Sequence, residues 1–102
     1  MLTQIRPPFY FAHRGASAHA PENTLAAFEL ALKQGAPAIE FDVKLTSDRQ
    51  FVIHHDQTLD RTTNGSGSIT KQPLAALREL DAGSKFSADF RGEKIPTLDE
   101  VF

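Results

Sequence analysis

Residues 9–45 read FYFAHRGASAHAPENTLAAFELALKQGAPAIEFDVKL, and this stretch decides the fold. It opens with Phe9-Tyr10-Phe11-Ala12-His13, a short aromatic-rich run that suits a buried strand. Arg14-Gly15 ends the run, because glycine permits backbone conformations that other residues resist. A loop from Ala16 to Pro21 leads into a helix. Asn23 is its expected N-cap, and Leu25, Phe28 and Leu32 fall on one helical stripe. Glu29 and Lys33 stand one turn apart as a favourably ordered surface pair. Gly35 supplies the C-terminal stop, with Pro37 just beyond. Ala38 to Leu45 predicts the next strand, with Ile39, Phe41, Val43 and Leu45 on one side and Ala38, Glu40, Asp42 and Lys44 on the other. Strand, helix and strand in so little sequence predict a parallel βαβ unit with a right-handed crossover.

Beyond this unit, Ser47-Asp48 marks a turn before a third apolar run, Phe51-Val52-Ile53-His54-His55. The link is too short for a βαβ crossover, so the run either pairs antiparallel or extends beyond a barrel proper. From Gln57 to Pro96 the chain is mostly polar. Thr62 to Gly67 reads as a flexible turn, and Pro73 to Leu80 as a short helix with Leu74, Leu77 and Leu80 on its apolar side. So long a connection without strong strands signals a functional insertion. Thr97-Leu98-Asp99-Glu100 is a capping box that opens another helix, of which Val101 and Phe102 follow, so the fold is expected to continue past this sequence.

With 102 residues the chain is long enough for one domain and not two. A hydrophobic fraction of 40% and a charged fraction of 24% exclude a disordered chain. A formal charge of -2 argues against nucleic acid as a partner, yet leaves room for a small anionic substrate. The absence of Cys excludes disulfides and thiolate metal sites. The apolar run Phe9–Ala12 is too short for a signal peptide or a membrane span, so no membrane anchor is visible and a cytoplasmic location is the expectation.

Five side chains carry candidate chemistry. Glu40 and Asp42 share one strand face at a spacing that can clamp one cation, and unpaired buried carboxylates are costly. Metal binding is one reading of the pair; neutralisation by Lys44, or a solvated face, is the other. His13 ends the first strand beside Arg14, and His55 ends the third run beside Asp56. Histidine titrates near neutrality, which suits general acid and base work. In α/β barrels active sites gather at the C-terminal strand ends, where these residues fall. His54 and His55 point to opposite sides, and parity alone does not choose between them. Arg14 is a candidate phosphate ligand, its planar fork matching phosphate oxygens, with a salt bridge to Glu40 or Asp42 as the alternative.

These motifs resemble the opening of the glycerophosphodiester phosphodiesterases. The landmarks are His13-Arg14-Gly15, Pro21-Glu22-Asn23-Thr24, Glu40 with Asp42, Thr46 with Asp48, His55-Asp56, and Leu59 through Gly65 with Arg61-Thr62-Thr63. Leu80-Asp81-Ala82-Gly83 and Ile95-Pro96-Thr97-Leu98 extend the likeness to the end of the chain. The resemblance implies an α/β fold of the TIM-type (β/α)8 barrel kind, in which residues 1–102 are the N-terminal part and about 57–96 the family's insertion. It implies His13 and His55 as the acid–base pair, Arg14 on the substrate phosphate, and Glu40 and Asp42 as ligands of a divalent metal, Mg2+ or Ca2+. The implied reaction is hydrolysis of a glycerophosphodiester, a small-molecule substrate, to an alcohol and sn-glycerol 3-phosphate. Lysophospholipase D-like or phosphoinositide-type activity, or a non-catalytic remnant, are the alternatives. Ala18-His19 departs from the Gly and aromatic residue common in the family, and the family's third acidic ligand comes from a later strand. A full barrel needs roughly 250 residues, so the chain alone is expected to be marginally stable and inactive.

Overall fold

The structure is a computed structural model, and it describes residues 11–102. The expected strand at Phe9 and Tyr10 therefore lies outside the described residues, and strand β1 spans Phe11–His13. Helix α1 spans Leu25–Lys33, β2 spans Ala38–Glu40, β3 spans Val43–Leu45 and β4 spans Phe51–Ile53. Short helices α2 (Leu74–Leu77) and α3 (Leu98–Val101) follow, with 3-10 turns at Ile69–Lys71 and Ala88–Phe90. Strands β1 and β2 pair in parallel around α1, and the last register pair is His13 with Glu40. The predicted βαβ unit is present.

Its helix starts one residue later than expected. Thr24, not Asn23, is the N-cap, and its Oγ1 accepts the Ala27 N–H at 3.2 Å. Asn23 takes φ 55°, a left-handed conformation that Asn tolerates better than most residues. This frees its side-chain amide to reach Asp42. The end of α1 is as predicted. Gly35 (φ 79°) donates to Leu32 and Ala36 donates to Ala31, the paired bonds of a Schellman stop.

The expected stripe of large residues on α1 holds only in part, with Phe28 buried and Leu25 half-buried. Ala27, Phe28 and Ala31 face inward, while Leu32 is 62% exposed. The reason is the close approach of the loop after β1. A Cβ on Gly15 would sit 2.7 Å from the Ala27 Cβ, so only small residues fit between loop and helix. Glu29 and Lys33 are both exposed and form no ion pair within 4.0 Å among the described residues.

The single strand expected over Ala38–Leu45 is two strands in two separate sheets. At the break, the Asp42 N–H meets Asn23 Oδ1 at 3.4 Å and the Asp42 carbonyl accepts His54 N–H at 2.9 Å. These bonds carry the backbone from the β1–β2 ladder to a hairpin. The Phe41 ring packs edge-on against Phe28 at the same point, with centroids 5.9 Å apart. Beyond it, β3 and β4 pair antiparallel, which settles the third run as a hairpin.

The segment 57–96 builds a core rather than a loose loop. Val52, Leu59, Ile69, Leu77, Ala82 and Ile95 form one buried cluster, flanked by Leu74 and Leu80. Burying each of the large side chains contributes roughly 1.5–3 kcal/mol relative to leaving it exposed. The predicted apolar residues Leu74, Leu77 and Leu80 thus meet this cluster, although the helix expected over Pro73 to Leu80 is confined to Leu74–Leu77 and Leu80 follows it. The stretch Thr62–Gly67 is pinned, contrary to the expectation of a flexible turn. Thr63 is fully buried, its hydroxyl donating to the Leu59 carbonyl at 2.7 Å and accepting from Gly65 N–H at 3.0 Å. Asn64 and Asp81 exchange two further bonds at 3.2 and 2.9 Å. The predicted capping box at Thr97 and Glu100 is formed. No helix among the described residues is long and apolar enough to cross a membrane.

Candidate active site

The parallel ladder delivers His13 and Glu40 side by side at the C-terminal ends of β1 and β2. Their side chains meet, His13 Nε2 lying 2.9 Å from Glu40 Oε1. The ladder runs one bond further, from Arg14 N–H to the Glu40 carbonyl at 2.7 Å. There the chain turns through φ 58° at Arg14 and φ 82° at Gly15. The turn sends the Arg14 side chain between two carboxylates. Nη1 donates to Glu22 Oε2 at 3.2 Å, and Nε lies 3.6 Å from Asp42 Oδ2. That Nε is buried and has no hydrogen-bond partner. Of the two salt bridges anticipated for Arg14, the one to Asp42 exists, and its stronger partner is Glu22.

Asp42 is held from the other side by Asn23 Nδ2 at 3.0 Å. Lys44 does not neutralise the Glu40–Asp42 pair. Its ammonium donates instead to the His54 and His55 carbonyls, at 3.2 and 2.7 Å, and so braces the end of β4. The two histidines there have different surroundings. His54 is 5% exposed and its Nε2–H donates to the Thr58 carbonyl at 2.9 Å. Burial pushes its imidazole below the ordinary value of 6.5. His55 is exposed, and its Nδ1 lies 2.8 Å from Asp56 Oδ1.

Arg61 joins the two groups. Nε and Nη2 donate to Asp56 at 2.8 and 3.0 Å, while Nη1 and Nη2 donate to Glu22 at 2.8 Å each. Hydrogen bonds from Arg61 and then from His55 hold the Asp56 carboxyl far below the usual carboxylate range. At Glu22, burial works upward, but the hydrogen bond and charge of Arg61 and the charge of Arg14 outweigh it, and the net shift is downward. With Asp56 ionised, His55 Nδ1 must be the donor, leaving Nε2 free of that bond. A line of polar contacts therefore runs from His13 through Glu40, Arg14, Glu22, Arg61 and Asp56 to His55.

His13 and His55 have different surroundings. His13 borders a cleft of about 250 Å³ with Ser17, His19 and Gln34. Glu22 and Arg61 border a second, of about 180 Å³, with Pro21, Lys85 and Phe86, and Ser17 stands between the two. Among the described residues no group of three or more His, Asp or Glu side chains is arranged to hold a metal ion.

Strand-end imidazole, guanidinium and carboxylate on a parallel βαβ unit define the class: part of a TIM-type α/β barrel with an ionic cluster at its C-terminal face. Residues 13–102 match the glycerophosphoryl diester phosphodiesterase family, and the chain belongs to it. It is 55% identical over 91 residues to a glycerophosphodiester phosphodiesterase of Caldanaerobacter subterraneus, covering 89% of this chain and 37% of that protein. A phosphodiesterase of Oleispira antarctica, solved in complex with the product sn-glycerol-3-phosphate, superposes with a TM-score of 0.90 at 52% identity, over 92% of this chain and 38% of the other. A glycerophosphodiester phosphodiesterase of Agrobacterium tumefaciens superposes with a TM-score of 0.86 at 48% identity, over 88% and 39%. The chain thus spans under two-fifths of the length of these relatives.

Sequence reasoning on single residues passed over Glu22, Asp56 and Arg61 as functional groups. Arg61 follows Asp56 closely enough for a local pairing to be suspected. Glu22 lies 39 residues away from Arg61, and no local pattern connects them.

Proposed function

We propose that this chain contributes the acid–base and phosphate-binding part of a glycerophosphodiester phosphodiesterase, which hydrolyses a small glycerophosphodiester to an alcohol and sn-glycerol 3-phosphate. The observation that carries the reading is the His13–Glu40 pair at a parallel strand end, with the Arg14 guanidinium held by Glu22 and Asp42 just after it. Family membership and a structural neighbour solved with sn-glycerol-3-phosphate support it.

In this reading Arg14 holds the phosphodiester, and its unpartnered Nε marks an environment short of an acceptor. One of His13 and His55 takes the proton of the attacking hydroxyl as the new P–O bond forms. The other delivers a proton to the alcohol oxygen as the old P–O bond breaks. His55, fixed through Nδ1 by Asp56, uses its Nε2 for this work. Glu40 and Asp42 would hold a divalent cation, magnesium or calcium. The donor set fits: Glu40 Oε2 and Asp42 Oδ1 accept no hydrogen bond among the described residues, and oxygen donors suit such hard cations. When bound, the cation would offset charge growing on the phosphoryl oxygens. The segment 57–96 is the family's insertion, and residues 1–102 are one part of a single barrel domain.

The test is release of sn-glycerol 3-phosphate from glycerophosphocholine by the protein extended to the length of its relatives. His13→Ala and His55→Ala should each lower kcat by about 100-fold or more. Full activity in both variants would overturn the assignment. Lysophospholipids tested alongside separate a soluble-diester enzyme from a lysophospholipase D-like one.

A further inference from the structure

Arg61 touches neither His55 nor Arg14, yet each of its carboxylate partners holds one of them. Asp56 holds His55 Nδ1 at 2.8 Å, and Glu22 holds Arg14 Nη1 at 3.2 Å. We infer that Arg61 is a positioning residue that aligns the acid–base imidazole and the phosphate-binding guanidinium together, by clamping Asp56 and Glu22 in one fork. The inference rests on the proposed phosphodiesterase reading for the roles of His55 and Arg14.

The geometry is that of a clamp rather than an incidental surface pair. A guanidinium offers five donors in a fixed plane, and here four bonds of 2.8–3.0 Å fall on two carboxylates from different parts of the chain. One carboxylate belongs to the loop after β1 and the other follows β4, so Arg61 ties the 57–96 segment to both. Glu22 and Asp56 repel each other, and that repulsion needs a cation between them to be offset. Without Arg61, Asp56 can turn away from the imidazole, which then loses its fixed tautomer and ring plane. Glu22 can then compete fully for Arg14, drawing it from a substrate phosphate. Lysine could not replace the fork, because an ammonium is a point charge without paired planar donors. Stability does not account for the arrangement: the Arg61 side chain is 51% exposed, and exposed pairs contribute little to folding.

The experiment uses the protein extended to the length of its relatives. Arg61→Gln should lower kcat by about 10-fold through His55 and raise KM by several-fold through Arg14, with little change in the melting midpoint. Arg61→Lys, which keeps the charge and guards against misfolding of the neutral variant, should recover only part of the loss. In an Asp56→Asn background, Arg61→Gln should cost less than about 3-fold more in kcat, since the path through Asp56 is already cut. Losses that multiply in the double variant, or single-variant kinetics within about 2-fold of the parent, would overturn the inference. A readout independent of turnover separates this from failure of the phosphodiesterase reading. The ring 15N shifts of His55 should report a fixed Nδ1–H tautomer in the parent and a mixture in Arg61→Gln. Unchanged shifts would refute the clamp whatever the substrate proves to be.

Discussion

His13 Nε2 lies 2.9 Å from Glu40 Oε1, across the register pair at the end of the parallel ladder. Both side chains are more than half exposed, at 57% and 58%. A polar contact so open to water adds little to folding. Glu40→Gln should therefore shift stability by no more than about 0.5 kcal/mol. The same substitution should lower activity of the extended protein by about 10–100-fold, as expected when a group that orients a histidine or a metal is removed. Urea titration beside steady-state kinetics checks both halves. A large stability loss with normal turnover would make the pair structural.

Gly83 answers to packing rather than chemistry. A Cβ placed there would sit 2.0 Å from the Phe90 carbonyl oxygen, and backbone does not move aside as a flexible side-chain end does. Gly83→Ala should cost about 1–3 kcal/mol or more, visible as a lower urea midpoint. An unchanged midpoint would contradict the close approach.

At α3, the Thr97 hydroxyl accepts the Glu100 N–H while the Glu100 carboxylate accepts the Thr97 N–H. Thr97→Ala removes one half of this exchange and should cost about 1 kcal/mol. Thr97→Ser, which keeps the hydroxyl, should restore most of it. Chemical denaturation of the three proteins gives the comparison.

The pH dependence of stability has a stated sign. Burial lowers the His54 pKa from 6.5, so below that pH the unfolded chain takes up a proton that the folded chain resists. Stability is complete above pH 6.5 and falls as pH drops below it. Asp81, pulled down by its hydrogen bond from Ser84, adds a small contribution that is present above 3.8 and lost in stronger acid. The urea midpoint should fall between about pH 7.5 and about pH 5.5, and His54→Gln should flatten that step. A midpoint that rises over the interval would contradict the burial of a neutral imidazole.

The hairpin carries an apolar face to solvent. Val43, Leu45 and Phe51 are 42%, 38% and 55% exposed, and Leu45 pairs with Phe51 across the strands. Such a patch favours association. The 102-residue chain should sediment as a concentration-dependent mixture, and Leu45→Lys with Phe51→Lys should shift it towards monomer. A reversible, cooperative monomer melt of the unsubstituted chain would contradict this and the marginal stability expected from its length.

Much of the architecture was legible because its causes are local. Gly35 and Ala36 end α1 through bonds to Leu32 and Ala31 respectively, all within six residues, and Thr97 and Glu100 cap α3 within four. The short link after Leu45 excluded a crossover, and the antiparallel register of β3 with β4 then chose the hairpin over an extension beyond the barrel. Where distant partners compete, local signals misled. Asn23 has the chemistry of an N-cap, but Asp42 claims its side chain and Thr24 caps instead. Leu32 fits a helical stripe, yet the inward face belongs to Ala27 and Ala31 because Gly15 approaches so closely.

The amino-acid order by itself determined the parallel βαβ unit, the polar groups at the strand ends and the family. Strand period, helix stops and motif spacing are properties of neighbouring residues, and they survive without coordinates. Only the tertiary structure decided that Ala38–Leu45 divides between two sheets, that Lys44 braces β4 rather than the carboxylates, and that Arg61 spans Glu22 and Asp56. Each of these depends on which of several charged or polar partners lies within about 3 Å once the chain has closed on itself.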